Sequence, residues 1–344
     1  MSVIDVTDLL RDLSENAPCG PDLEYSEDYL ELARLIQGTP DIEYGNMHQP
    51  AEEPDWKAVK ALALRMLEQS RDLRLAVHLT CACLPLDGLS GLEDGLALIE
   101  GLLERHWDHV HPQLDPGDAN DPTARINTLV GLDEKNGLIR HVALASLVDV
   151  PAYGRFCLRD IDKAEGEFVP KADEAVQDMA IIDAAFKAAA LDELTEAVSV
   201  LTRACDRIKR IEMLLTGRVG HARAIRFEAL SQVLRRAESV VTVRLRQHPQ
   251  WVAKVDAQVP EQMGGGNTAN PPLPAFHEIG NRDDVVRLLD LICEYYVRED
   301  PASPVPLFLQ RARRLVHMSF IEIMNDLSPQ SLAEINHLAG MGNG

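Results

Sequence analysis

The densest run of chemistry-bearing side chains in this chain is His106-Trp107-Asp108-His109-Val110-His111. Imidazoles at this spacing could hold zinc or nickel, with His106 and His109 one turn apart wherever a helix continues through them. No glutamate stands as in a His-Glu-x-x-His catalytic motif, and Pro112 ends the element at once. The run therefore reads first as a helix C-terminus, where histidines complement the dipole. A metal-dependent enzyme using His106, His109 and His111 is the alternative, and stoichiometric metal in the purified protein would revive it.

The cysteines offer less. Cys81 and Cys83 are two residues apart, which puts them on different sides of a helix and fits small buried residues better than a metal or redox pair. His78 has no orienting third group that would make either thiol a nucleophile. Cys19 sits in Pro18-Cys19-Gly20-Pro21-Asp22 with Glu15, Asp22 and Glu24 nearby and nothing basic adjacent, so its thiolate is disfavoured and the segment reads as a rigid turn. Gly264-Gly265-Gly266 lacks the lysine of a phosphate loop and reads as linker. No catalytic motif emerges, and no cofactor or metal is expected.

Charge gives a second line. The 344 residues carry 55 acidic and 34 basic side chains, a formal net charge of −21. Residues 1–120 hold 24 acids against 8 bases, and residues 201–260 hold 5 acids against 12 bases. This division suggests surfaces for different protein partners. The basic stretch has almost no interleaved aromatics, only Phe227 and Trp251, so a nucleic-acid groove is the lesser alternative to a solvated face or a dock for an acidic protein. The amino terminus has no basic leader, no apolar run reaches the length of about 18 residues that spans a bilayer, and six dilute cysteines suit a reducing compartment, so a cytoplasmic protein without membrane insertion is expected.

The elements that must position these residues are helices. Aromatics are only 5% and Leu and Ala recur throughout, which favours an all-α chain. Asp55 is placed to cap a helix carrying Trp56, Val59, Leu62, Ala63, Met66 and Leu67, and Asp72 to cap one that stops at Pro85. A third runs from near Ser90 toward Trp107, and Asp121-Pro122 opens a fourth. Residues 14–22 and 38–54 read as loops, and Phe156, Leu158 and Ile161 as a short extended piece. Leu194, Val198, Leu201, Cys205 and Ile208, then Leu230, Leu234, Ala237 and Val241, predict an antiparallel helical hairpin over about 192–247. Trp56, Leu73, Leu96 and Trp107 should be largely buried.

Several segments recur together in a recognisable order: Pro18-Cys19-Gly20-Pro21-Asp22-Leu23, Pro54-Asp55-Trp56, Ser70-Arg71-Asp72-Leu73-Arg74 and Leu86-Asp87-Gly88-Leu89-Ser90-Gly91-Leu92. Gly95-Leu96-Ala97-Leu98, Leu102-Leu103-Glu104-Arg105, Trp107 and His111-Pro112 follow. This ordered set, over roughly residues 10–150, closely resembles the ImpA-related N-terminal domain, the hallmark of the TssA components of bacterial type VI secretion systems. Tyr296 to Pro306 followed by Arg311-Ala312 resembles the C-terminal E-P-x-S-P segment of that family, with Asp300 intruding between Glu299 and Pro301. The resemblance implies a non-enzymatic assembly protein on the cytoplasmic side of an inner-membrane-docked apparatus. It would contact baseplate, contractile sheath and tube, and form a homo-oligomeric ring through its C-terminal region. Without a large C-terminal extension, a place near the baseplate is expected rather than distal capping of the sheath.

The resulting organisation is an N-terminal helical domain over 1–150, a middle helical region over 151–259, a Gly/Pro-rich linker over 260–280 and a ring-forming block over 281–344. A block of about 60 residues buries too little surface to be comfortable alone. Its helices carry Leu289, Ile292, Phe308 and Leu315 among adjacent apolar pairs that no single face can hide. Ser303, Pro304 and Pro306 would set the turn between two of them. Arg311, with Arg313 and Arg314, would meet Glu299 or Asp300 of a neighbouring subunit.

Overall fold

The computed structural model describes residues 3–38, 42–44, 47–49, 53–135, 137–170, 174, 176–256, 282–299 and 304–316. Helices dominate, and the strands among the described residues form only two antiparallel two-stranded hairpins. The chain divides into two compact units, Met1–Glu261 and Gln262–Gly344.

The first unit opens with α1 (Val6–Leu9), α2 (Glu27–Leu35), the hairpin β1 (Ile42–Tyr44) and β2 (Met47–Gln49), and α3 (Trp56–Leu67). Part of the segment expected to be loop thus pairs as strands. Asp55 caps α3, its carboxylate accepting from the amides of Lys57 and Ala58, both at 3.1 Å. The buried face of α3 is the predicted stripe of Val59, Leu62, Ala63, Met66 and Leu67.

Helix α4 (Leu73–Arg105) is capped by Asp72, which accepts from Arg74 N at 2.7 Å. It is two helices joined at Gly88, where φ +67° and ψ −153° leave helical space. Pro85, the expected stop, lies inside the first arm: proline removes one amide bond, whereas the positive φ at Gly88 turns the chain. The arms then pack closely. A Cβ on Gly91 would lie 2.6 Å from Cys83 O, and one on Gly95 would lie 2.8 Å from Thr80 Cβ. By length and composition α4 could cross a membrane, but 61% of its most apolar window is buried inside the fold.

Beyond α4 come α5 (Thr123–Val130), α6 (Leu138–Leu144), the hairpin β3 (Ser146–Val150) and β4 (Gly154–Cys157), α7 (Leu158–Ala164) and α8 (Met179–Ala188). Phe156 lies in β4, but Leu158 and Ile161, expected with it in an extended piece, are on α7. The predicted helical hairpin is α9 (Leu191–Val219) and α10 (Glu228–Arg246), turning near Gly220 at φ +77°, and α11 (Pro249–Asp256) follows. Leu201 and Ile208 on α9 and Leu230, Leu234, Ala237 and Val241 on α10 are fully buried. α9 packs against both α10 and α4, so the division expected at residue 150 falls inside one compact unit. The cause is that α9 buries Val200, Ala204 and Ile211 as well as its seam, which is more than one helix partner can cover.

In the second unit α12 (Arg282–Glu299) packs against α13 (Val305–Leu315). Arg313 Nε lies 2.9 Å from Asp290 Oδ1, an ion pair that ties α13 to α12. Leu307 and Phe308 are 69% and 71% exposed. Ser303, Asp300, the 260–280 linker and every expectation beyond residue 316 lie outside the described residues.

Candidate functional site

The family-like segments converge on one place, where three stretches of chain are stitched by main-chain hydrogen bonds. Arg71 N donates to Cys19 O at 2.8 Å, His111 N to Arg71 O at 3.1 Å and Leu73 N to His111 O at 2.8 Å. Side chains reinforce the stitch: Ser70 Oγ donates to Pro21 O at 2.6 Å and His111 Nε2 lies 3.0 Å from Gly20 O. Gly20 has φ +69°, and a Cβ there would strike Gln69 O and lie 2.9 Å from Leu13 Cδ1. Only glycine meets both demands.

Arginines close the arrangement. Arg74 reaches Asp72, Glu24 Oε2 at 2.7 Å and Asp22 Oδ1 at 2.7 Å, with its guanidinium 5.1 Å from the Tyr29 ring centre. Burial works against its charge, but the hydrogen bonds and carboxylate of Asp72 outweigh burial and raise its pKa. Arg71 and Arg125 are buried and donate to carbonyls: Arg71 to those of Arg11 at 3.1 Å, Asp8 at 3.2 Å and Leu67, and Arg125 to those of Pro112 at 2.7 Å, Val110 at 2.6 Å and Trp107. Arg125 also lies 5.0 Å from the centre of the buried Trp107 ring, and burial pulls its pKa down to about 10. Reasoning from sequence passed over Arg125, because a guanidinium that serves backbone carbonyls has no partner side chain to betray it.

The histidine run is not assembled around a common point. His106 Nε2 lies 3.0 Å from Leu10 O and His111 faces Gly20 O, both rings being buried, while His109 is exposed. Among the described residues no group of three or more His, Cys, Asp or Glu is placed to hold a metal. The two buried rings tie the N-terminal segment to the end of α4. Cys19 is buried, and Arg71 and Arg125 do lie close enough to act on it, contrary to the basic-free surroundings expected. Burial outweighs them and pushes the thiol up to about 11, and pushes Cys81 and Cys83 up to about 12. Leu73, Leu96 and Trp107 are buried as expected, but Trp56 is only half-buried. Its indole stands edge-on to His141, with ring centres 5.3 Å apart, and its N–H points toward Glu53 Oε2 at 3.5 Å. A polar tip on an apolar body explains the partial exposure.

Part of the acidic front and part of the basic middle meet each other. Arg207 on α9 engages Glu93 Oε1 at 2.5 Å and Glu100 Oε2 at 2.7 Å, and Arg210 lies 2.6 Å from Glu100 Oε1. Arg236 pairs with Asp162 and Glu165, Arg244 with Asp183 at 3.1 Å, and Arg223 with Asp121 at 3.3 Å. Much of the basic stretch therefore holds the hairpin against the rest of its own unit.

This geometry is that of a supporting core. In the C-terminal unit, exposed apolar side chains lie on both helices: Leu291, Ile292 and Tyr295 on α12, and Leu307 and Phe308 on α13. Of the other residues expected to build an oligomer contact, Leu289, Pro306 and Leu315 are half-buried, and Pro304 and Arg311 are exposed.

Comparison with known proteins agrees with the motif order. Residues 10–134 match the family described as ImpA, N-terminal, type VI secretion system. The type VI secretion system component TssA1 of Pseudomonas aeruginosa is 39% identical over 348 residues, spanning 98% of this chain and 99% of that protein. A solved N-terminal domain, including the conserved ImpA_N region, of the TssA component of Burkholderia cenocepacia superposes with a TM-score of 0.57 at 24% identity. It covers 72% of this chain and 96% of that one, a likeness of fold. With the motif core in place and a relative matched from end to end, the chain belongs to the TssA family of type VI secretion system components.

Proposed function

We infer that the chain is a non-enzymatic assembly component that works on the cytoplasmic side of the secretion apparatus as a homo-oligomeric ring built by residues 281–344. In this reading the first unit presents itself to baseplate, sheath and tube proteins. The observation that carries the reading is the end-to-end match to a TssA component at 39% identity. The C-terminal unit adds physical support, because side chains such as Phe308, 71% exposed on an amphipathic helix, call for a covering surface. The motif residues, from Pro18, Cys19 and Gly20 to Trp107 and Pro112, have a structural role in this reading: they hold the first unit in shape and contact no partner.

Co-purification of the full chain with the baseplate, sheath and tube proteins of its own system tests the function. Retention of at least one of them, lost on removal of residues 281–344 through loss of avidity, is the expected result. No retention of any of the three would overturn the assignment.

A further inference from the structure

We propose that Tyr25, with Leu30 beside it, anchors the first unit in an apolar pocket rimmed by Lys or Arg on another protein of the secretion apparatus. The proposal rests on the assembly reading and names the surface which that reading leaves open.

Tyr25 is 91% exposed, the highest value for a large apolar or aromatic side chain among the described residues. The chain on either side of it is fixed. Leu23 to Ser26 form a turn closed by Ser26 N donating to Leu23 O at 2.9 Å. Ser26 Oγ also donates to Leu23 O, at 2.7 Å, and accepts from Tyr29 N at 3.1 Å as the cap of α2. The Glu24 carboxylate meets Arg74 at 2.7 Å, and its amide donates to Asp22 Oδ1 at 3.0 Å. Tyr29, the other aromatic of this segment, is half-buried against the Arg74 guanidinium, whereas Tyr25 is held out from the braced turn. An aromatic side chain on a fixed mount brings a large apolar area at little cost in chain ordering, which suits it to anchor an interface.

Leu30 extends the patch. With Ser26 as the cap, Tyr25 and Leu30 hold the N′ and N4 positions, whose side chains often close over a helix start as a hydrophobic staple. Here the pair is open, for Leu30 is 55% exposed as well. Two large apolar side chains at one helix entry thus remain in water, and covering them with another surface is favourable.

Charge selects the partner. Residues 22–31 hold five acids and no base. Asp28 pairs with Arg65 at 2.7 Å and Glu31 with Arg34 at 3.7 Å, whereas Arg74 alone serves Asp22, Glu24 and the buried Asp72. Glu27, exposed in the first turn of α2, has no ion partner among the described residues. Carboxylates therefore outnumber the guanidiniums that serve them around the Tyr25–Leu30 patch. Such a face attracts a cationic rim and repels a second copy of itself.

The test measures binding of the full chain to the baseplate, sheath and tube proteins of its own system, each taken alone. A Tyr25→Ala/Leu30→Ala variant, altered only at exposed positions, should keep its melting temperature and lose about tenfold or more in affinity for the protein that the parent chain binds. Glu27→Lys should weaken the same complex and reduce its sensitivity to salt, while Tyr153→Ala, exposed on the turn between β3 and β4, should leave it unchanged. Photoreactive benzoylphenylalanine at position 25 should cross-link to that same protein. Undiminished binding by the Tyr25→Ala/Leu30→Ala variant, an equal loss in Tyr153→Ala, or unaltered salt sensitivity in Glu27→Lys would overturn the proposal and leave the assembly reading standing. A parent chain that binds none of the three proteins would overturn both. A cross-link to a second copy, or to the C-terminal unit of the same chain, would overturn the proposal by showing a different occupant.

Discussion

Arg207 on α9 lies 2.5 Å from Glu93 on α4, joining residues 114 positions apart across the contact between the helical hairpin and the motif core. Glu93 is 8% exposed, and Glu100 takes the other arm of the same guanidinium at 2.7 Å. Burial acts against the Arg207 charge, but the bonds to Glu93 and Glu100 prevail and its pKa is raised. Arg207→Ala should destabilise the first unit by about 1–3 kcal/mol, because two carboxylates are then left under-compensated in a partly buried site. Denaturant melts measure this, and an Arg207→Ala/Glu93→Ala/Glu100→Ala variant should lose less than the sum of its parts. Full additivity would mean that the three do not act as a unit.

Glycines in helices should respond differently to the same change according to where they sit. Gly91→Ala and Gly95→Ala place a methyl against Cys83 O and Thr80, and should each cost about 1–3 kcal/mol. Gly88→Ala meets no atom within 4 Å but keeps φ at +67° and ψ at −153°, so its cost of about 1–3 kcal/mol is conformational. Gly217→Ala, inside α9 with nothing within 4 Å, should instead stabilise by about 0.5–1 kcal/mol. Thermal melts rank the four; a stabilising Gly95→Ala would refute the close packing of the two arms of α4.

Acid should weaken the fold partly through His78. Burial lowers its pKa below the ordinary value of about 6.5. The unfolded chain then binds the proton more readily than the folded one, so the contribution of His78 is fully present above 6.5 and is lost as the pH falls below it. His78→Gln should flatten that part of the stability–pH curve, read from urea midpoints between pH 7.5 and 5. An unchanged slope would show that His78 takes up its proton equally well in both states.

The thiols of Cys19, Cys81 and Cys83 should be inert. With Cys19 pushed up to about 11 and Cys81 and Cys83 up to about 12, none has appreciable thiolate at neutral pH. A disulfide reagent at pH 7.5 should reach them only after denaturation. Rapid labelling of Cys19 in the folded chain would mean that its turn opens away from Arg71.

What the sequence disclosed depends on whether a feature is local. Caps at Asp55 and Asp72 and the stripe from Val59 to Leu67 follow from neighbours along the chain, and they stand where expected. So do the α9 and α10 seams. Trp56 misled because helical spacing locates a face and says nothing of how deep the end of that face lies. A balance counted over 1–120 and 201–260 likewise cannot tell that Glu93 and Arg207 are each other's partners. Arg125 gave no signal, since it works through main-chain groups that every residue carries.

The most direct test of the account is the mass of the full chain by light scattering, beside a Leu307→Asp/Phe308→Asp variant. Both substituted side chains are exposed in the C-terminal unit, so the packing of the first unit is untouched. The account predicts a large, discrete homo-oligomer for the parent chain and a much smaller particle for the variant, with unchanged helical content in the first unit. A parent chain that is monomeric at high concentration, or a particle that stays large after removal of residues 281–344, would contradict a ring built by the C-terminal unit.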